Sequence, residues 1–158
     1  MTLVIRPPSG QDLETIVEFN QRLAWETEGR NLDPAILTRG VRAVLADPHR
    51  GRYFLAEEAG RVVGQLMITL EWSDWRDGWL WWIQSVYVRA EARQRGVFRA
   101  LYAHVLAEAQ RQGDVAGLRL YVENHNTTAQ TTYHKLGMSD AGYRVLELCP
   151  LSPSRLDG

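Results

Sequence analysis

Between Leu80 and Val88 the chain reads LWWIQSVYV, an almost unbroken run of apolar, β-branched and aromatic residues. A run of that length and composition predicts a central strand covered on both faces. From about Gly96 the period changes. Val97, Leu101 and Val105 recur on one stripe, with Phe98, Tyr102 and Ala109 beside it, which predicts a helix to about Gln112 stopped by Gly113. Arg89 to Arg95, with three arginines, joins the two. A buried strand thus delivers a basic loop to a helix N-terminus, where unpartnered N–H groups and the positive end of the helix dipole favour phosphate oxygens.

The same reading extends along the chain. Leu3–Arg6 is a short strand ended by Pro7-Pro8. Ser9 and Asp12 have capping-box spacing and open a first helix, with Leu13, Ile16, Val17 and Leu23 inward. Thr27 to Asn31 is a polar loop. Asp33-Pro34 starts a second helix that uses Ile36, Leu37, Val41, Val44 and Leu45 and ends near Asp47-Pro48. Gly51–Glu57 and Arg61–Glu71 form a hairpin about Ala59-Gly60. Trp72 to Gly78 is a loop. After the central strand and its helix come a strand over Ala116–Val122, a short helix capped by Asn126 with Ala129, Tyr133 and Leu136 on one stripe, and a last strand over Tyr143–Leu148. The unit from Trp79 to Val122 should be a right-handed crossover between parallel strands. The expected fold is α/β: a mixed, mostly antiparallel sheet of six or seven strands with helices on both faces. Its ligand should lie outside the carboxyl ends of the parallel strands, at Gly96.

Composition narrows the classes. The 158 residues suit one domain, expected over residues 3–148, with a polar tail over 149–158 that frays from Ser152. A net charge of −1 is not that of a polybasic nucleic-acid binder. No apolar run approaches the ~20 residues of a membrane span, and MTLVIRPPSG turns polar too soon for a secretory signal. Cys149 is the only cysteine, so no internal disulfide forms, which fits a reducing, cytoplasmic location. Four scattered histidines and that cysteine give no metal-ligand spacing, so no metal is expected.

The motifs from Val86 onward resemble those of the GNAT superfamily of acetyl-CoA-dependent N-acetyltransferases. Val86-Tyr87-Val88 is similar to the end of that family's central strand. Arg93-Gln94-Arg95-Gly96-Val97-Phe98 matches its [Q/R]-x-x-G-x-[G/A] pyrophosphate loop at Arg93 and Gly96, and departs from it at Phe98. Asn126, Ala129, Tyr133, Lys135, Gly137 and Met138 meet its N-x-x-A-x-x-x-Y-x-K-x-G-[FM] signature. The element order agrees over roughly residues 3 to 148.

The resemblance implies acetyl transfer from acetyl-CoA, as co-substrate, to an amine, by direct attack in a ternary complex. It implies a splayed pair of parallel strands in which Val86, Tyr87 and Val88 offer backbone groups to pantetheine, the Val86 N–H being the donor to the thioester carbonyl. Arg93, Gln94, Arg95, Gly96, Val97, Phe98 and Arg99 would wrap the pyrophosphate. Asn126 would touch the pantetheine arm, and Tyr133 would serve as general acid. From the residues alone, Tyr133 on its apolar stripe reads first as a core tyrosine, and Asn126 at least equally as a cap only.

The general base is open among Glu26, Glu28, Glu71, Asp74 and Glu123, with Glu71 first because it ends a strand beside the central one. Gln84 and Ser85 are polar within an apolar strand, so one of them faces a cavity or a water. Trp72, Trp75, Trp79, Trp81 and Trp82 crowd one short stretch. They predict either a wall of the acceptor pocket, with Glu28, Trp72, Asp74 and Gln84 as tentative substrate contacts, or the patch of a homodimer. The expected acceptor is a primary amine of a small molecule or peptide, with neither nucleic acid nor membrane as partner. The competing reading is a non-catalytic acyl-CoA sensor or interaction module, motivated by Phe98 and the unassigned base.

Overall fold

The computed structural model describes residues 2–151; the frayed tail expected from Ser152 lies outside the described residues. Contacts divide the described residues into two compact units, one up to Tyr121 and one from Val122 onward.

The first unit holds five strands in chain order: β1 (Leu3–Arg6), β2 (Arg52–Glu58), β3 (Arg61–Ser73), β4 (Gly78–Val88) and β5 (Val115–Leu120). β1 to β4 pair antiparallel, and β5 lies parallel to β4. Three helices accompany them: α1 (Leu13–Glu28), α2 (Pro34–Ala46) and α3 (Val97–Gln112). α1 runs into the expected loop as far as Glu28 and stops at Gly29, whose φ of 61° suits a residue without Cβ. α2 starts as its sequence dictates: Asp33 accepts from the N–H groups of Ala35 and Ile36, with Pro34 in the first turn.

Side-chain alternation assigns the helices to faces. Tyr53 and Leu55 pack with Ile16, Phe19, Val41 and Tyr87 in one core under α1 and α2. Phe54, between them in sequence, points the other way and meets His104 of α3 edge-on at 5.5 Å. α3 buries Val97, Leu101, Tyr102, Val105 and Ala109, the stripe its period predicts.

The second unit contains α4 (Thr127–Lys135). The strand expected over Tyr143–Leu148 does not form, so the described sheet has five strands rather than six or seven. Val145, Leu146 and Leu148 are exposed. An apolar rhythm marks a segment able to be a strand, but a strand needs a hydrogen-bonded partner, and pairing is not written in the period.

Candidate functional site

The carboxyl end of β4 is irregular on both sides. β5 pairs with it from Trp79 to Ile83 and no further. From Gln84 to Val88 the edge of β4 towards β5 carries no ladder partner within this unit. On the other side β3 stays paired to Val88, but through a bulge: Gln84 opposes Met67 and Tyr87 opposes Gln65, so Ser85 and Val86 share the single residue Leu66. Ser85 has φ 52°, a left-handed conformation that costs a non-glycine residue about 1–3 kcal/mol. The surroundings must impose it.

They do so with a closed ring of buried polar groups. Gln65 is fully buried. Its Nε2 donates to the Ser85 carbonyl at 3.0 Å and to Asn20 Oδ1 at 3.3 Å. Asn20 Nδ2 donates to the Tyr53 hydroxyl at 3.1 Å, and Tyr53 in turn shares a hydrogen bond with the Ser85 side chain. Burial raises the Tyr53 phenol above its ordinary range. Gln65 Oε1 is buried with no partner. Of its members the sequence singles out only Ser85; its closure across α1, β2, β3 and β4 could not be read from spacing.

Beyond Val88 a single turn, Ala90–Ala92, leads into the basic loop. Gln94 and Gly96 both take positive φ, 60° and 83°. Such residues turn successive N–H groups to one side and form an anion-binding concavity. The first bond within α3 runs from the Ala100 N–H to the Gly96 carbonyl, so the N–H groups of Val97 and Arg99 have no acceptor inside the helix. Phe98 lies along α3 with its ring 6.1 Å from that of Tyr102. Gly64 of β3 lets this helix start approach the sheet: a Cβ there would lie 2.8 Å from Val97 Cγ1 and 3.2 Å from the Tyr87 carbonyl.

The loop arginines hold distinct posts. Arg89 is structural, donating to the Val62 carbonyl and lying over the Phe19 ring. Arg93 donates to the Val88 carbonyl at 2.9 Å and to Glu26 at 2.6 Å. Glu26 also accepts from the Tyr87 hydroxyl at 3.3 Å. Arg95 reaches both oxygens of Glu58, at 2.8 and 2.9 Å. Arg99, exposed on the first turn of α3, makes no ion pair among the described residues. Tyr87, buried against Phe19, turns its side chain to α1, so only its backbone faces the β4 edge.

Several expected residues lie elsewhere. Glu71 pairs with Leu80, six positions before Val86, or about 20 Å along the strand at ~3.3 Å per residue. Its carboxylate meets Arg119 at 3.3 Å. Trp72 and Asp74 are farther still, at the hairpin joining β3 to β4, the end of β4 opposite the loop. Glu71, Trp72 and Asp74 therefore do not join Val86. The tryptophans form no single wall: Trp72 packs edge-on with Trp79, Trp81 is buried under the Arg52 guanidinium, and Trp82 stacks on Tyr121. Alternation along β4 sends neighbours in sequence to opposite faces. Gln84 is next to the bulge, its amide donating to Thr69 Oγ1 at 2.5 Å. Glu28 ends α1 and pairs with Arg30 at 3.7 Å.

In the second unit, Asn126 caps α4 by accepting from the Ala129 N–H at 3.1 Å. The Met138 N–H donates to the Tyr133 carbonyl and closes the helix end. The Tyr133 ring is half-buried, and burial pushes its phenol up, so it stays protonated through neutral pH.

A family model described as the acetyltransferase (GNAT) family matches residues 13–138. No curated protein matches the chain. Among solved structures, a possible acetyltransferase from Clostridium difficile 630 is 41% identical, with a TM-score of 0.90, covering 96% of this chain and 100% of its own. A predicted acetyltransferase from Clostridium acetobutylicum, solved with acetyl-CoA, shares the fold at 19% identity and TM-score 0.75, covering 93% of this chain and 96% of its own. AAC(6')-Iy, solved with the bisubstrate analogue CoA-S-monomethyl-acetylneamine, does so at 18% identity and TM-score 0.78, over 96% of this chain and 100% of its own.

Proposed function

The chain belongs to the acetyltransferase (GNAT) family, with acetyl-CoA as co-substrate, and on that premise we propose that it acetylates a primary amine of a small molecule or peptide by direct attack in a ternary complex. The observation that carries this reading is the unpaired edge of β4 from Gln84 to Val88, leading through the loop to a glycine-capped helix start. An extended pantetheine can pair with free backbone groups of such an edge, as an added strand would. The N–H groups at the start of α3, with Arg99 beside them, suit a pyrophosphate.

Acetyl-CoA supplies an activated acyl carbon. The rest is the work of the chain. The Val86 N–H donates to the thioester oxygen and strengthens its hold as that oxygen becomes an oxyanion. The amine gives up a proton to a carboxylate on the acceptor side or to water, and its nitrogen forms a bond to the carbonyl carbon; the C–S bond breaks, the nitrogen releases its second proton to water, and the thiolate takes a proton. We assign that proton to the Tyr133 hydroxyl, on the residue pattern 126–138, with Asn126 holding the start of its helix. Glu71 and Asp74 leave the list of bases, because about 20 Å or more separates them from Val86. Glu26 and Glu28, at the end of α1, take over the acceptor side, where carboxylates suit a cationic amine.

The test is thiol release with a panel of primary amines and peptides, run with a calorimetric titration of CoA. Turnover with at least one amine is expected. Tight CoA binding without turnover across the panel would favour a non-catalytic acyl-CoA sensor instead.

A further inference from the structure

We propose that Gln65 is a positioning residue that aims the Val86 N–H, by clamping the peptide unit between Ser85 and Val86. The inference rests on the acetyl-transfer reading, and it adds a residue that neither the strand-end motif nor the loop motif contains.

A trans peptide unit is planar, so its C=O and N–H point in opposite directions. The Ser85 carbonyl and the Val86 N–H are the two ends of one such unit. Gln65 Nε2 holds the carbonyl end at 3.0 Å, from β3. The N–H end must then point away from Gln65. A bulge by itself leaves this direction open, because an extra residue can be accommodated with its peptide turned either way. The positive φ of Ser85 is the cost of the choice made here.

The chemistry of the ring supports a purpose beyond packing. Asn20 Oδ1 and the Ser85 carbonyl are both acceptors, so the Gln65 amide must present its NH₂ to them. That leaves Oε1 buried without a partner. An aliphatic side chain of similar length would remove that orphan but leave Asn20 Oδ1 and the Ser85 carbonyl without their donor. Glutamine leaves its own Oε1 unpartnered and keeps the clamp on Ser85. Tyr53 and Asn20 complete it, taking the Ser85 side chain and the second Gln65 hydrogen.

The experiment compares the parent with Gln65→Leu and with Ile16→Val, a conservative core change on α1 outside the ring. Two ligands are titrated: CoA, which has no acyl carbonyl, and acetyldethia-CoA, the unreactive ketone in which methylene replaces sulfur. Turnover is measured with the best amine of the panel. Gln65→Leu should bind CoA within about threefold of the parent and lose the parent's preference for the ketone. Its kcat should fall on the order of 10²-fold, the usual effect of removing one oxyanion donor. Ile16→Val should keep the preference. If Gln65→Leu does not fold, Gln65→Met, longer and more adaptable, carries the same readouts. A folded variant with parental ketone preference and parental kcat overturns the assignment. A parent that binds both ligands but acetylates no amine overturns the acetyl-transfer reading, while the ligand comparison still decides the role of Gln65.

Discussion

The Arg93 guanidinium lies 2.6 Å from the Glu26 carboxylate, so the last turn of α1 is tied to the loop that opens α3. The same arginine holds the Val88 carbonyl, and the same glutamate holds the Tyr87 hydroxyl. The end of β4 is thereby fixed from both sides of its exit, by groups that spacing in the sequence does not connect.

The neighbouring pair, Arg95 with Glu58, sets up competition. Arg95 is about half exposed, so its ion pair is worth little by itself. A pyrophosphate at the loop must share or displace that carboxylate. Arg95→Ala should weaken CoA by about 1–3 kcal/mol, whereas Glu58→Gln should tighten it a few-fold. Calorimetry checks the opposed signs; two variants moving the same way would place the phosphates elsewhere.

Gly64 is required by space. Its added Cβ would meet Val97 Cγ1 at 2.8 Å, and a core forced apart in this way loses about 1–3 kcal/mol. Gly64→Ala should lower the melting temperature and weaken CoA together, because the atom displaced belongs to the start of α3. Unchanged CoA affinity in the destabilised variant would separate this packing from the cofactor.

Glu71→Gln should leave kcat/KM for the acceptor within about twofold of the parent. The carboxylate sits about 20 Å along the sheet from Val86, and its partner Arg119 lies on β5, away from the loop. A tenfold loss across pH 6–9 would return Glu71 to the acceptor site.

Tyr133→Phe removes a hydroxyl and keeps the ring. Its phenol is held above the ordinary value by burial, so it remains a proton donor throughout the neutral range. The expected result is a fall in kcat of roughly 10²-fold with little change in acetyl-CoA affinity. Parental kcat in a well-folded variant would make Tyr133 a packing residue.

Acid sensitivity should centre on Asp12. Arg6 contacts its oxygens at 2.9 and 3.0 Å, and the Ser9 N–H donates at 2.6 Å. Chiefly through the Arg6 hydrogen bond, the carboxyl is held below its usual range. A depressed carboxyl contributes its stability above the unfolded value near ~3.9 and loses it as pH falls through the folded one. Asp12→Asn should therefore cost about 1–3 kcal/mol at pH 7, and the gap to the parent should close below about pH 4. A gap that persists to pH 2 in denaturation curves would assign the loss to shape.

What the sequence revealed was what periodicity and capping encode. The β4 run, the α3 stripe, the Asp33-Pro34 start and the Asn126 cap all formed as their residues dictate. The loop was visible because Gly96 and its arginines are local. Register was not. Nothing in the letters around Glu71 says that it opposes Leu80 instead of Val86, and adjacency to the central strand does not say which end of it a residue meets. The tryptophans take separate partners for a related reason: closeness in sequence is not closeness on a sheet whose faces alternate. The Gln65 ring was hidden because its four members come from four elements.

The unpaired edge of β4 is made of main-chain groups. Every residue except proline carries the same N–H and C=O there. A scan replacing Val86 or Val88 by alanine would register little beyond lost packing and would pass over the centre of the proposed site. Genetic drift meets the same blindness: side chains along this edge are free to vary with whatever packs against them, and the hydrogen-bonding groups persist unaltered. Among single codon changes at Val86, one to proline would delete the N–H outright, yet no valine codon reaches a proline codon in one step, so the group is shielded by the genetic code as well as by the fold.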